Sequence, residues 1–191
     1  PHWQGMVQSL TRMQLQELAR RWEVADRLIH ENGVTYNVYG QASDKPRPWE
    51  LDILPIVYSP TEWQTISEGL KQRVRLLNLI LADLYGPQNL LKQGHLPADA
   101  VLAHPRFLLP FHSMQPAGGK HIHLYAAEIA RSPDGRWWVM AGRSEAPSGA
   151  GYAVENRIVS SRTWPHLIQD CRVQRLASFF MSLQENLQDV A

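Results

Sequence analysis

The run Ala146-Pro-Ser-Gly-Ala-Gly-Tyr-Ala-Val-Glu-Asn-Arg157 brings together three kinds of group that phosphate chemistry needs. Small residues at Ser148, Gly149 and Gly151 let backbone N–H groups approach an anion closely. Glu155 and Asn156 offer the hard oxygen ligands that Mg²⁺ prefers, and Arg157 can hold a phosphate or carboxylate through two parallel hydrogen bonds. The run matches neither the Walker A loop nor the dinucleotide fingerprint, and a Pro-Ser-Gly-Ala-Gly stretch also builds ordinary tight turns. Composition therefore leaves both the phosphate cradle and the plain turn open.

A second set lies upstream. In a regular strand Tyr125, Ala127 and Ile129 share one face under a period of two, which turns Glu128 the other way and puts Arg131 opposite Glu128. An acid on a strand beside a small-residue loop can bind a metal, and it can equally be a solvated carboxylate. His121 and His123 are two apart and would face one way, permitting a metal pair with His112 or His104, but no Cys or His-Glu spacing supports it. Cys171 has no activating context nearby and is expected to pack ahead of a helix. Lys71, Arg73 and Arg75 read as a solvated helix face, and Trp137 and Trp138 as core and partial cover rather than a base-stacking platform.

Positioning these groups requires ordered elements around them. Leu18, Trp22, Ala25 and Ile29 recur at helical spacing within Met6–Ile29, predicting one amphipathic helix that stops at Asn32 and Gly33, with a strand over Val34–Tyr39. The prolines and charges of Gly40–Pro55 predict an ordered loop. Ser59, Pro60 and Glu62 form a capping-box start, and Trp63, Ile66, Leu70, Val74, Leu77, Leu81 and Leu84 continue one stripe of roughly seven turns to Gly86 and Pro87. Short helices are expected at Gln88–Gln93 and Ala98–Ala103, followed by a long Pro- and Gly-rich connection. His121–Arg131 and Arg136–Arg143 flank Ser132-Pro-Asp-Gly135 and predict a β-hairpin. Val173, Leu176, Phe179 or Phe180, Leu183 and Leu187 predict a closing helix. The fold class is α+β, helices with a small, mainly antiparallel sheet.

At 191 residues the chain is long enough for one domain, expected over 1–191 as an entry segment (1–58), a helical region (59–119) and a hairpin, loop and closing helix (120–191). Nineteen basic against eighteen acidic residues, net +1, give no broad electrostatic reason to expect nucleic acid or an anionic membrane as partner. One cysteine excludes an internal disulfide framework and suggests the cytoplasm. No apolar stretch approaches the roughly 18 residues that span a bilayer, and no secretory signal is evident. A start at Pro1 rather than methionine suggests a piece of a longer chain.

Several segments in order, Gly33-Val-Thr-Tyr-Asn-Val-Tyr39, Arg47-Pro-Trp-Glu-Leu-Asp52, Leu84-Tyr-Gly-Pro-Gln88, Leu124-Tyr-Ala-Ala-Glu-Ile-Ala-Arg131, Asp134-Gly-Arg-Trp-Trp-Val139 and Ala146–Tyr152 with Glu155-Asn-Arg157, resemble the circularly permuted ATP-grasp family of carboxylate-amine ligases. The resemblance runs through most of the chain and corresponds to the N-terminal part of longer proteins that carry much of the nucleotide-binding core further along. It implies that ATP phosphorylates a carboxylate, that an amine traps the acyl phosphate, and that Mg²⁺ neutralises the phosphate oxygens, with the protein supplying position and charge. It implies Glu128, Glu155 and Asn156 as metal ligands, Ser148, Gly149 and Gly151 as phosphate contacts, and Arg131 and Arg157 as anion clamps. Partners would be the remainder of its own chain and carboxylate and amine substrates, the isolated piece being inactive.

The chain also departs from that family. Where relatives carry Ala-Asp followed by Arg-Thr-Gln, this sequence reads Ala141-Gly-Arg-Ser-Glu145, and Glu128 stands where relatives favour Asp. Loss of an acid at Gly142 keeps a second expectation in play, a noncatalytic interaction domain built on the same scaffold.

Overall fold

The computed structural model describes residues 4–36 and 47–189. Contacts gather the chain into two compact units, one made of the residues up to Ser59 with Ser148–Leu176, the other of Pro60–Pro147 with the stretch from Ala177 onward. Both are mainly helical, each with one small antiparallel strand pair, so the α+β class holds.

In the first unit the helix expected over Met6–Ile29 is two helices, α1 (Gln4–Arg12) and α2 (Leu15–Glu31), because Gln14 takes an extended conformation between them. The break lets α1 address one cluster while α2 reaches two, its Leu18 packing against both. Met6, with Leu10 and Met13, packs on Trp164 and Leu167, whereas Ala25, Leu28 and Ile29 pack with Ile53 and Val159. Trp22, placed on the apolar stripe by its spacing, is 55% exposed. The neighbouring position takes its place: Arg21 lays its guanidinium 4.6 Å from the centre of the Trp164 ring and donates to the Thr163 carbonyl. α2 ends as expected, with Asn32 at its C-terminus and Gly33 at φ +65°, where Val34 N–H reaches back to the Ile29 carbonyl.

Thr35–Tyr36 (β1) pairs antiparallel with Arg47–Pro48 (β2). The rest of the strand expected to Tyr39, and the first part of the expected loop, lie outside the described residues. The first unit also contains α6 (Ala150–Thr163) and α7 (Pro165–Asp170), and the second ends on α8 (Ala177–Gln188). α6 and α7 were not predicted by periodicity, and α8 begins four residues after the expected Val173. Cys171 follows α7, closing it through its N–H to the Leu167 carbonyl, and is exposed, so the packing role expected for it is not realised.

The second unit is organised by α3 (Pro60–Leu84), which starts and stops where the capping signals put it. Of its stripe, Ile66 and Leu84 are buried and Leu70, Val74, Leu77 and Leu81 half-buried, while Trp63 is half exposed. Lys71, Arg73 and Arg75 lie exposed, as expected. Asp83 accepts from the N–H groups of Asn89 and Leu90, starting α4 (Asn89–Lys92); α5 (Ala98–Leu102) follows. Asn78 on α3 fastens the long connection, donating to the Gly119 carbonyl and accepting from His121 and Ile122 N–H.

The expected hairpin is present as β3 (Ala126–Arg131) and β4 (Trp137–Arg143), with a bulge between Glu128 and Ile129. Gly135 at φ +85° closes its turn, the conformation that favours glycine. Asp134 accepts from the Ser132 hydroxyl and from both the backbone N–H and Nε of Arg136. These bonds, the Ser132 one foremost, hold the Asp134 carboxyl below its ordinary pKa. A depressed folded pKa stabilises above the unfolded value, about 3.9, and that stability is lost as pH falls through the folded value. Melting Asp134→Ala beside the parent is therefore expected to show a gap at pH 7 that narrows below about pH 4.

Candidate functional site

The small-residue loop delivers the chain into the N-terminus of α6. Gly149 stands at the cap with φ +110°, a backbone only glycine adopts freely, and Ala153 N–H makes the first intrahelical bond, to the Gly149 carbonyl. The N–H groups of Ala150, Gly151 and Tyr152 consequently point out of the helix end without intrahelical partners. No side chain caps them, and the first turn carries no acid. Ser148, Gly149 and Gly151 are all exposed, and the Ser148 hydroxyl has no partner among the described residues. A fourteen-residue helix with an open, uncharged N-terminus presents partial positive charge to an anion.

Beyond that turn α6 is bound into its own unit. Tyr152, Glu155, Asn156, Val159 and Thr163 recur at three- and four-residue intervals and form its inward face. The Tyr152 ring stacks on Trp49 at 4.3 Å between centroids, and its hydroxyl donates to the Thr35 carbonyl. Trp49 Nε1 donates to Asn156 Oδ1 at 2.8 Å, and Asn32 Nδ2 donates to Glu155 Oε1. Arg157 donates to the Gln174 carbonyl at 2.7 Å. The expected metal ligands of α6, Glu155 and Asn156, and its expected anion clamp, Arg157, thus each have a partner within the unit. Trp49, Tyr152 and Asn32 are the residues to which sequence reasoning gave no part in the site, Asn32 being read only as a helix stop. The signal for Trp49 was its place in the Arg47–Asp52 run.

In the other unit Glu128 faces away from half-buried Ala127 and Ile129, as its alternation implies, and pairs with Arg143 diagonally across the hairpin at 2.5 Å. Arg131 lies 3.4 Å from Glu62, with its guanidinium carbon 5.8 Å from the Trp137 ring centre. Trp137 is half-buried and Trp138 about half exposed, cover rather than platform. A β-carbon at position 142 would lie 2.5 Å from the Tyr125 hydroxyl, so the tyrosine occupies the space a side chain there would need. Glu145, the nearest acid along the sequence, is paired with Arg106.

The histidines do not assemble. His121 stacks near Tyr85, His112 Nδ1 meets the Ser113 hydroxyl, and His104 Nδ1 accepts from Arg106 N–H. Among the described residues no three His, Cys, Asp or Glu side chains are grouped to hold a metal ion. The candidate residues divide between the units: Ser148, Gly149, Gly151, Glu155, Asn156 and Arg157 in the first, Glu128 and Arg131 in the second.

The defining pattern of circularly permuted ATP-grasp type 2 proteins matches residues 55–191, most of the chain and all of these candidates. The chain belongs to that family. An uncharacterised protein of Mycobacterium tuberculosis is 34% identical over 199 aligned positions, covering all of this chain and 22% of the relative. One from Synechocystis is 34% identical over 91% of this chain and 36% of its own length, and one from Mycobacterium leprae 30% identical over 99% and 33%. The chain spans between about a fifth and a third of the length of these curated relatives. In these ATP-grasp relatives the region that aligns with the small-residue loop and α6 is one part of a longer chain.

Proposed function

We propose that the chain supplies an anion-binding part of an ATP-dependent ligase that joins a carboxylate to an amine, and that it acts only with the remainder of its protein. The observation that carries this reading is the uncapped, acid-free N-terminus of α6 behind the Ser148–Gly151 loop, in a chain of ATP-grasp ancestry. Backbone N–H groups of Ala150, Gly151 and Tyr152, with the Ser148 hydroxyl, would take phosphate oxygens of ATP, and the glycines would let them come close. Arg157 and Arg131 would hold anionic groups only with the donors left over from Gln174 for the first, and from Glu62 and the Gly135 carbonyl for the second. ATP, when bound, supplies the phosphoryl group that activates the carboxylate.

Mg²⁺ fits less well on these residues alone. Glu155 and Asn156 each already accept one hydrogen bond and keep one further oxygen lone pair or carboxylate oxygen to give, and Glu128 is neutralised by Arg143. A magnesium ion, bound with few protein ligands and several waters or phosphates, would draw most of its oxygens from the nucleotide and from the rest of the protein. A cytoplasmic setting completes the proposal; no helix among the described residues is long and apolar enough to cross a membrane.

Titration calorimetry of the full-length protein with a nonhydrolysable ATP analogue and Mg²⁺ tests the reading, and saturable binding supports it. Glu155→Gln keeps an oxygen for Asn32 while removing the charge. If Glu155 meets the metal, the Mg²⁺-dependent part of the affinity falls about 10-fold or more with melting unchanged. The engaged acids and the Tyr125 ring filling the space at Gly142 favour one second reading, a noncatalytic scaffold. An absence of heat from folded full-length protein selects it.

A further inference from the structure

α8 carries a face whose composition does not suit water. Its sequence, Ala177-Ser-Phe-Phe-Met-Ser-Leu-Gln-Glu-Asn-Leu-Gln188, holds a single charged residue, Glu185, and none of its residues is buried. Met181 is 61% and Leu187 51% exposed, with Phe179 and Phe180 also exposed. Phe180, Leu183 and Leu187, with Gln184 and Gln188, line an open groove of about 370 Å³. The helix is tethered to its unit along another side, where Lys120 Nζ donates to Asn186 Oδ1 at 3.0 Å and Asn186 donates to the His123 carbonyl. A solvent-facing helix carries charge on its outer face, and a twelve-residue helix without packing is marginal in water. An apolar, uncharged stripe on a tethered helix is the mark of a contact surface.

We infer that this stripe of α8, centred on Phe180, Leu183 and Leu187, docks an apolar segment of the same polypeptide, from the part of the longer protein not contained in these residues. Relatives that align with most or all of the chain are about two and a half to five times its length, and a remainder of that size would be a large covalently attached partner. Covalent attachment gives that partner an effective concentration in the millimolar range, ahead of any free protein. The absence of charge along the groove selects an apolar occupant over a basic or acidic one. The inference is independent of nucleotide binding.

Hydrogen–deuterium exchange on the nucleotide-free full-length protein tests it. The α8 amides are expected to exchange at least 100-fold slower than an unstructured reference. In Phe180→Asp/Leu187→Asp this protection drops at least 10-fold, together with protection in one segment outside the present chain, while the molecular mass by light scattering is unchanged. Where the double variant does not fold, Leu187→Ala is expected to show the same two segments loosened several-fold. Exchange of α8 in the parent protein at the rate of a frayed helix overturns the inference. So does loosening confined to α8 alone. Protection that rises with protein concentration alongside a dimer assigns the face to a second copy and overturns it as well.

Discussion

Replacing Trp164 with alanine is expected to cost about 3–5 kcal/mol of stability, the range for removing a large aromatic from a packed interior. Trp164 is 3% exposed and sits between α6 and α7, where it packs with Met6 and Leu167. Three contacts depend on the ring: the apolar packing, the guanidinium of Arg21 over its face, and a hydrogen bond from Nε1 to the Ile53 carbonyl at 2.7 Å. Trp164→Phe separates them. It keeps most of the apolar volume but leaves the Ile53 carbonyl without this donor, so it is expected to cost about 1–3 kcal/mol. Urea melts of both variants check the ordering. Equal losses would mean that the hydrogen bond, not the packing, dominates. No loss in either would mean that α1, α7 and the Ile53 segment do not rely on this cluster.

Trp164 also shows why some of the fold was legible and some was not. α3 could be read because its signals are local: a capping sequence at Ser59–Glu62, a seven-turn apolar stripe, and a glycine with a proline at the end. The hairpin was legible for the same reason, since Ser132–Gly135 specifies its own turn. α6 was hidden because its inward face carries Tyr152, Glu155, Asn156 and Thr163 beside a single buried aliphatic, Val159. Tyr152, Glu155 and Asn156 are satisfied by Thr35, Asn32 and Trp49, more than a hundred positions away along the chain, while Thr163 bonds back to the Val159 carbonyl, and no periodicity in the helix itself reports the distant partners. The division between α1 and α2 was hidden for a related reason. One continuous spacing serves two clusters, one around Trp164 and one around Val159, and nothing in that spacing marks the extended Gln14 at which the helix divides.

The same distinction runs through the candidate residues. Types and order were enough to find the loop, and the open helix end behind it is local geometry that small residues permit. Roles for Glu155, Asn156, Glu128, Arg131 and Arg157 were drawn from chemistry and resemblance, and each of these side chains turns out to have a partner of its own. A charged or amide group with a structural partner can still touch a ligand through its remaining lone pairs or donors, at the cost of sharing. The proposed phosphate binding therefore rests better on the backbone of the α6 N-terminus, where no competing partner is present among the described residues, than on the side chains further along the helix.

That assignment leads to the second large effect. Gly151→Asp is expected to raise the stability of the protein by about 1 kcal/mol while weakening ATP binding about 100-fold or more. Gly151 is the second residue of α6, it is exposed, and a β-carbon there meets nothing within 4 Å. Removing a glycine from a helix recovers roughly 0.5–1 kcal/mol, and an acid in the first turn adds about 0.3–1 kcal/mol through the helix dipole. The same carboxylate stands where phosphate oxygens would approach. Two like charges about 4 Å apart repel by about 4 kcal/mol at an effective dielectric near 20, and the bound nucleotide brings several negative charges. Gly151→Ala is the control, expected to gain stability and keep its affinity. Calorimetry and melts on the full-length protein read both quantities in the same samples. A damaged fold cannot mimic the expected pattern, because here affinity falls as stability rises. Undiminished affinity in Gly151→Asp would place the phosphates away from this helix end and leave the Ser148–Gly151 loop as the turn that its composition also allows.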